Sequence, residues 1–139
     1  MKRFVLDSSY CMAWAFPEER TSDRQKVLDE LLNGNATAVT SPLWFYEVTN
    51  VLIVAERRGR LTQVQSAKFL EMIQALPVDI SDAPLEQVFS EVAALARQHM
   101  LSPYDAAYLR IAVEEGIPLA SLDSALKKAA AASGVALIS

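Results

Sequence analysis

The sequence has 139 residues, 52% of them hydrophobic and 22% charged, with four glycines and six prolines. That length and composition predict one soluble globular domain over residues 1–139 and exclude disordered, fibrous and collagen-like chains. One cysteine and one histidine exclude a Cys/His zinc site and an internal disulfide, and a net charge of −4 argues against a broad electrostatic surface for nucleic acid, so any such contact is local.

Lys2 and Arg3 precede a short apolar run that Asp7 stops too early for a signal peptide. No stretch reaches the roughly 18 apolar residues of a membrane span, so the expectation is a cytoplasmic chain with no membrane partner. Residues 3–6 read as a first strand. A helix carrying Val27, Leu28, Leu31 and Leu32 ends before Gly34, and residues 38–40 read as the second strand. Ser41-Pro42 reads as an N-cap followed by proline at the first helical position, opening a helix that ends near Arg58 and Gly59. Residues 78–80 form a third strand, and Val88, Val92, Leu95 and Ala96 have helical spacing. Ser102-Pro103 opens the next helix, which ends at Gly116. Residues 119–121 form a fourth strand; the alanine run at 129–132 is helical and ends before Gly134; residues 135–138 form a fifth strand.

Glycine after a helix supplies the left-handed residue that satisfies its last carbonyls, so four helix ends are located. The short apolar runs show no in/out alternation, as expected of strands buried on both faces of a parallel sheet. The predicted fold is α/β, a three-layer α/β/α sandwich around a parallel sheet of about five strands. The isolated glycines permit neither a Walker A loop nor a dinucleotide fingerprint.

In open α/β sheets ligands collect beyond the carboxyl ends of the strands. Asp7 ends the first strand and Asp123 follows the fourth; each reads equally as the N-cap of the next helix. Asp105 lies in the first turn after Ser102-Pro103, where Ser102 and Asp105 have the spacing of a capping box. Glu47 shares a helical stripe with Trp44, Val48 and Val51, which sets a carboxylate on an otherwise apolar face. Such a group needs a cation or a dense set of donors. An arginine partner is one reading, although Arg57, Arg58 and Arg60 lie too far along the same helix to reach back. Four carboxylates without histidine or thiol suit a hard cation, Mg²⁺ or Mn²⁺. One such ion, or two roughly 3.5–4 Å apart, activates water and stabilises the leaving oxygen of a phosphodiester, which makes metal-dependent phosphodiester cleavage the leading chemistry.

Asp7-Ser8-Ser9, Glu47 in Ser41-Pro42-Leu43-Trp44-Phe45-Tyr46-Glu47-Val48, Tyr104-Asp105-Ala106-Ala107-Tyr108-Leu109 and Ser121-Leu122-Asp123, in this order and nearly end to end, resemble the motifs of PIN-domain nucleases. The size resembles the VapC toxins of bacterial and archaeal toxin–antitoxin pairs. This resemblance implies a PIN-like fold, a Mg²⁺- or Mn²⁺-dependent endoribonuclease with an RNA substrate, a cognate antitoxin that inhibits it, and a homodimer. It implies that Asp7, Glu47, Asp105 and Asp123 are the catalytic, metal-holding cluster for one or two ions, and that Ser9 and Ser121 match the small hydroxyl positions that flank it. Both hydroxyls are assigned to orienting carboxylates or water, because no base such as histidine stands beside them in sequence. Ser121 stands where threonine is frequent, which retains the hydroxyl. No further acid follows Asp123 at Leu126 or Lys127, which leaves a second ion weakly held.

Other residues read structurally. Cys11 reads as buried packing and His99 as a cap on helix-terminal carbonyls. Trp14, Phe16, Trp44, Phe45 and Tyr46 read as core in the main, with some partly exposed where the resemblance puts an antitoxin groove. Arg57, Arg58 and Arg60 read as a solvated helix end or, alternatively, an RNA contact. A competing function is a non-catalytic PIN-like module that binds RNA or protein, against which retention of all four acids argues. An acyl-phosphate enzyme on a similar sheet usually has a second aspartate two residues after the nucleophile, where this chain has Ser9.

Overall fold

A computed structural model describes residues 2–139. The elements are β1 (Lys2–Leu6), α1 (Ser8–Met12), a 3-10 turn (Pro17–Glu19), α2 (Ser22–Leu32), β2 (Ala36–Thr40), α3 (Trp44–Arg57), α4 (Gln63–Gln74), β3 (Val78–Ile80), α5 (Leu85–Gln87), a π-helical turn (Val88–Val92), α6 (Ala93–His99), α7 (Pro103–Glu115), β4 (Leu119–Ala120) and α8 (Ser124–Ala132). Among the described residues no helix is long and apolar enough to cross a membrane.

Four strands form one parallel sheet in the order β3-β2-β1-β4, with Val5 opposite both Val39 and Leu119. Successive strand residues point to opposite faces, and Val5, Leu6, Val39 and Thr40 are all buried. Helices therefore cover both faces, giving the expected three layers. The strand count is lower than expected. Residues 135–138 contribute one bridge, Leu119 to Leu137, in which the Leu119 N–H donates to Ala136 and the Ile138 N–H to Leu119, each at 2.9 Å. β4 has only two residues, so it offers its neighbour little ladder. At the other edge Asp79 and Ile80 of β3 are exposed, not buried on both faces, because no strand pairs beyond them.

The glycine-marked helix ends are all present. Gly116, at φ 66°, caps α7 with its N–H donating to Ala112, and Gly34, Gly59 and Gly134 lie two residues beyond α2, α3 and α8. α6 instead ends on Met100 at φ 54°, a left-handed conformation that costs a non-glycine residue about 1 kcal/mol. Ser102 caps α7 as expected, its Oγ accepting the Asp105 N–H at 3.1 Å with Pro103 at the first helical position. Ser41 does not cap α3. Pro42 and Leu43 form a turn, the helix opens at Trp44, and no side chain caps it. The 88-92-95-96 stripe is also imperfect: Val92 is buried but Val88 is exposed, because the π turn breaks the 3.6-residue period. The buried Arg110 guanidinium on α7 holds that turn through Glu91 at 2.9 Å and Gln87, and pairs with Glu114 at 2.6 Å.

Candidate metal-binding acid cluster

The chain runs outward from β1 to β2 and β3, then returns to place β4 on the other side of β1. The switch point lies between β1 and β4, and the crevice beyond their carboxyl ends is where such sheets bind ligands. Asp7 leaves β1 at that crevice. Its N–H donates to Ala120 of β4 at 3.1 Å, and the side chain is 3% exposed. Asp7 Oδ2 accepts from Ser9 Oγ at 2.7 Å and from Ser121 Oγ at 2.6 Å, while Oδ1 accepts from Ser8 Oγ at 3.3 Å and the Ser9 N–H at 3.4 Å. The two hydroxyls are held in turn. Ser9 Oγ accepts the Leu122 N–H at 2.9 Å and Ser121 Oγ accepts the Asp123 N–H at 3.0 Å. One network thus orients Asp7 and ties the loop after β4 to the end of β1.

All four candidate acids stand at helix N-termini: Asp7 at the N-cap of α1, Glu47 and Asp105 in the first turns of α3 and α7, and Asp123 at the N-cap of α8. The cap reading of Asp123 is correct as structure, since its Oδ1 accepts the N–H groups of Ala125 and Leu126 at 3.0 and 3.1 Å. Positive helix ends favour carboxylates and offset part of their mutual repulsion.

Burial and that repulsion act together on Glu47 and Asp105. Burial pushes the Glu47 carboxyl above its ordinary value, the charges of Asp7 and Asp105 push the same way, and a hydrogen bond from Tyr108 opposes them. Burial likewise raises Asp105, reinforced by Asp7 and then Asp123. The four acids are therefore electrostatic neighbours. The ion pairs among the described residues involve Arg3, Arg60 and Arg110, and none reaches this cluster. Glu47 has no arginine partner.

Among the described residues no three histidine, cysteine, aspartate or glutamate side chains are grouped closely enough to enclose a metal ion between them. Mg²⁺ does not require such a cage, because it keeps several waters and takes one or two carboxylates together with substrate phosphates. The donor chemistry fits a hard cation: oxygen ligands only, two of them raised by burial and like charge, with their excess charge met by hydroxyls and amides alone.

The sequence reading missed Tyr108. It is fully buried on α7 and its hydroxyl donates to Glu47 Oε1 at 2.5 Å. The available signal was its position three residues after Asp105, which sets both on one face of the helix. Cys11 is buried and free, and burial raises its thiol pKa, as packing predicts. His99 does not cap carbonyls; its Nε2 lies 3.4 Å from Ser133 Oγ. Trp14, Phe16 and Trp44 are core, whereas Phe45 and Tyr46 are exposed. Arg60 pairs with Glu18 at 2.6 Å and stacks 4.0 Å from the Phe16 ring centre, and it is exposed together with Arg57 and Arg58.

Comparison with known proteins agrees with this fold. The family model described as PIN domain matches residues 4–132. Ribonuclease VapC3 of Pyrobaculum aerophilum is 30% identical over 124 residues, covering 89% of this chain and 92% of that protein. The crystal structure of PAE2754 from the same organism superposes with a TM-score of 0.72 at 23% identity, covering 99% of this chain and 90% of its own. VapBC2 from Rickettsia felis, solved bound to a DNA fragment from its promoter, gives a TM-score of 0.66 at 15% identity over 97% and 96% of the two chains. The chain belongs to the PIN domain family, with a VapC ribonuclease among its relatives.

Proposed function

We propose that this chain is a divalent-metal-dependent endoribonuclease that hydrolyses phosphodiester bonds in RNA, and that it is the toxin of a toxin–antitoxin pair. The observation that carries the reading is the acid cluster itself: four carboxylates at the switch point of a PIN fold, met by neutral donors and by no cationic side chain. Such an arrangement is costly unless a cation joins it. Asp7, Glu47, Asp105 and Asp123 would hold the ion between them, one or two directly and the others through its waters. Mg²⁺ or Mn²⁺, one ion or two, supplies a water of lowered pKa and neutralises charge at the scissile phosphate. The remaining work belongs to the chain. Ser9 and Ser121 hold the Asp7 carboxylate in one orientation, and the Asp123 N-cap bonds fix Oδ1 and leave Oδ2 as its oxygen for a cation. Without metal the cluster repels RNA phosphates, so substrate binding is coupled to metal.

The partner reading follows from the VapC likeness. A groove of about 550 Å³, lined by Trp14, Pro17, Arg20, Arg60, Phe69 and Met72, lies between the 3-10 turn and α4 and has the apolar floor and charged rim that suit an amphipathic antitoxin segment. A basic residue carried to the acid cluster by such a segment would complement its charge. On the same reading the chain acts as a homodimer, and it works in the cytoplasm.

The test is incubation of antitoxin-free protein with total RNA, with Mn²⁺ or with chelator, followed by mapping of the new ends. Discrete cuts that require Mn²⁺ are expected. RNA retention without cleavage at any metal concentration would replace the nuclease by a binding module.

A further inference from the structure

Glu47 sits on α3 and Asp105 on α7, and the side chain that joins these two helices at the site is Tyr108. Its ring is wholly buried and its hydroxyl donates to Glu47 Oε1 at 2.5 Å, across 61 positions of sequence. A glutamate has three side-chain torsions, so its carboxylate holds one orientation only where a partner fixes it. We propose that Tyr108 is a positioning residue that holds Glu47 by one oxygen, so that Oε2 is the oxygen left for the divalent ion. The assignment rests on the metal-dependent reading above.

The hydroxyl is suited to this task because it stays a donor. Its ring is wholly buried on α7, so water does not compete with Glu47 Oε1 for the phenol proton. The same bond ties the first turn of α3 to the second turn of α7, and so fixes the spacing between Glu47 and Asp105. Partners behind a metal ligand act in this way, and removing one typically weakens metal binding 10- to 100-fold.

Tyr108→Phe keeps the buried ring and removes only the donor. Mn²⁺ titration by calorimetry on the whole chain should show binding weakened about tenfold, with the metal-free melting curve retaining a single cooperative transition. On a mapped RNA substrate kcat should fall with little change in KM, and high Mn²⁺ should restore much of the loss. In the Glu47→Gln background the same Tyr108→Phe change should have no further effect on Mn²⁺ affinity. Equal Mn²⁺ affinity in wild type and Tyr108→Phe, or an equal loss in both backgrounds, overturns the assignment while leaving the metal reading intact. Absence of Mn²⁺ binding by the wild type overturns the metal reading and this assignment with it.

Discussion

The two ends of the sheet treat acidic residues in opposite ways. At the amino end Arg3, on β1, reaches Asp79 on β3 at 2.7 Å and Glu115 at the end of α7 at 2.8 Å. At the carboxyl end Asp7, on leaving the same strand, is bonded by serine hydroxyls, and Glu47 by a phenol. The chain has 13 lysines and arginines, so the missing cation at the carboxyl end is no shortage of composition. Where acids only hold structure, the fold supplies their counter-charge from its own side chains. Where it supplies only neutral donors, the charge stays uncompensated, and the proposed metal reading rests on that difference.

The sharpest break of this contrast is at Asp7. Asp7→Asn keeps the shape and, with its amide oxygen in the Oδ2 position, the Ser9 and Ser121 hydroxyl contacts, but it removes the charge and the acceptor for the Ser9 N–H. RNA cleavage should fall by roughly a hundredfold or more, the scale seen when one electrostatic stabiliser is removed from a reacting site, while the melting transition persists. Rates on a mapped RNA substrate check it. Undiminished activity would mean that the carboxyl end is structural after all.

A smaller effect separates the ends by pH. Asp105 has a raised pKa, chiefly from burial and then from Asp7 and Asp123. An acid whose pKa is higher folded than unfolded binds its proton more tightly when folded. Its contribution is present below the unfolded pKa and is lost as pH rises through the raised value. Glu47 acts with the same sign. In chelator, the urea midpoint of wild type should therefore decline from about pH 4 toward neutrality relative to Asp105→Asn, which cannot ionise there. Added Mn²⁺ should reverse the order at neutral pH, since it binds the folded wild type more tightly. Parallel pH profiles for the two proteins in chelator would show that Asp105 is not strained.

Much of this site is written locally, and the rest is not. Glu47 stood out because its stripe neighbours Trp44 and Val48 are core residues, so a charge there required a partner wherever the helix packed. Asp7 and Asp123 were visible as strand ends, but a cap and a metal ligand share one residue type. Asp123 shows that a single side chain can cap with Oδ1 and still carry charge into the cluster. Tyr108 stands three residues after Asp105, but an aromatic on a buried helix face reads as packing, and its partner lies 61 positions away. The failed cap at Ser41 and the reduced fifth strand have separate causes. Proline after serine marks a turn as readily as a helix start, and an apolar run of four residues becomes a strand only if its neighbour offers enough backbone to pair with.

The smallest expected effect lies at the amino end. Arg3→Ala removes both ion pairs of an exposed guanidinium, 40% accessible in its side chain. Exposed pairs are worth about 1 kcal/mol or less each, because water competes for the charges and the long side chain loses freedom when held. The urea midpoint at low salt should fall slightly, and the difference from wild type should shrink further in high salt. Mn²⁺ affinity and RNA cleavage should be unchanged. Arg3 and Asp7 are four residues apart on one extended strand, so about 13 Å separates them along the chain. That exceeds the roughly 8 Å screening length at physiological ionic strength. A change in Mn²⁺ affinity in this variant would show that the cation at one end of the sheet is felt by the acids at the other, and that the two ends form a single electrostatic unit.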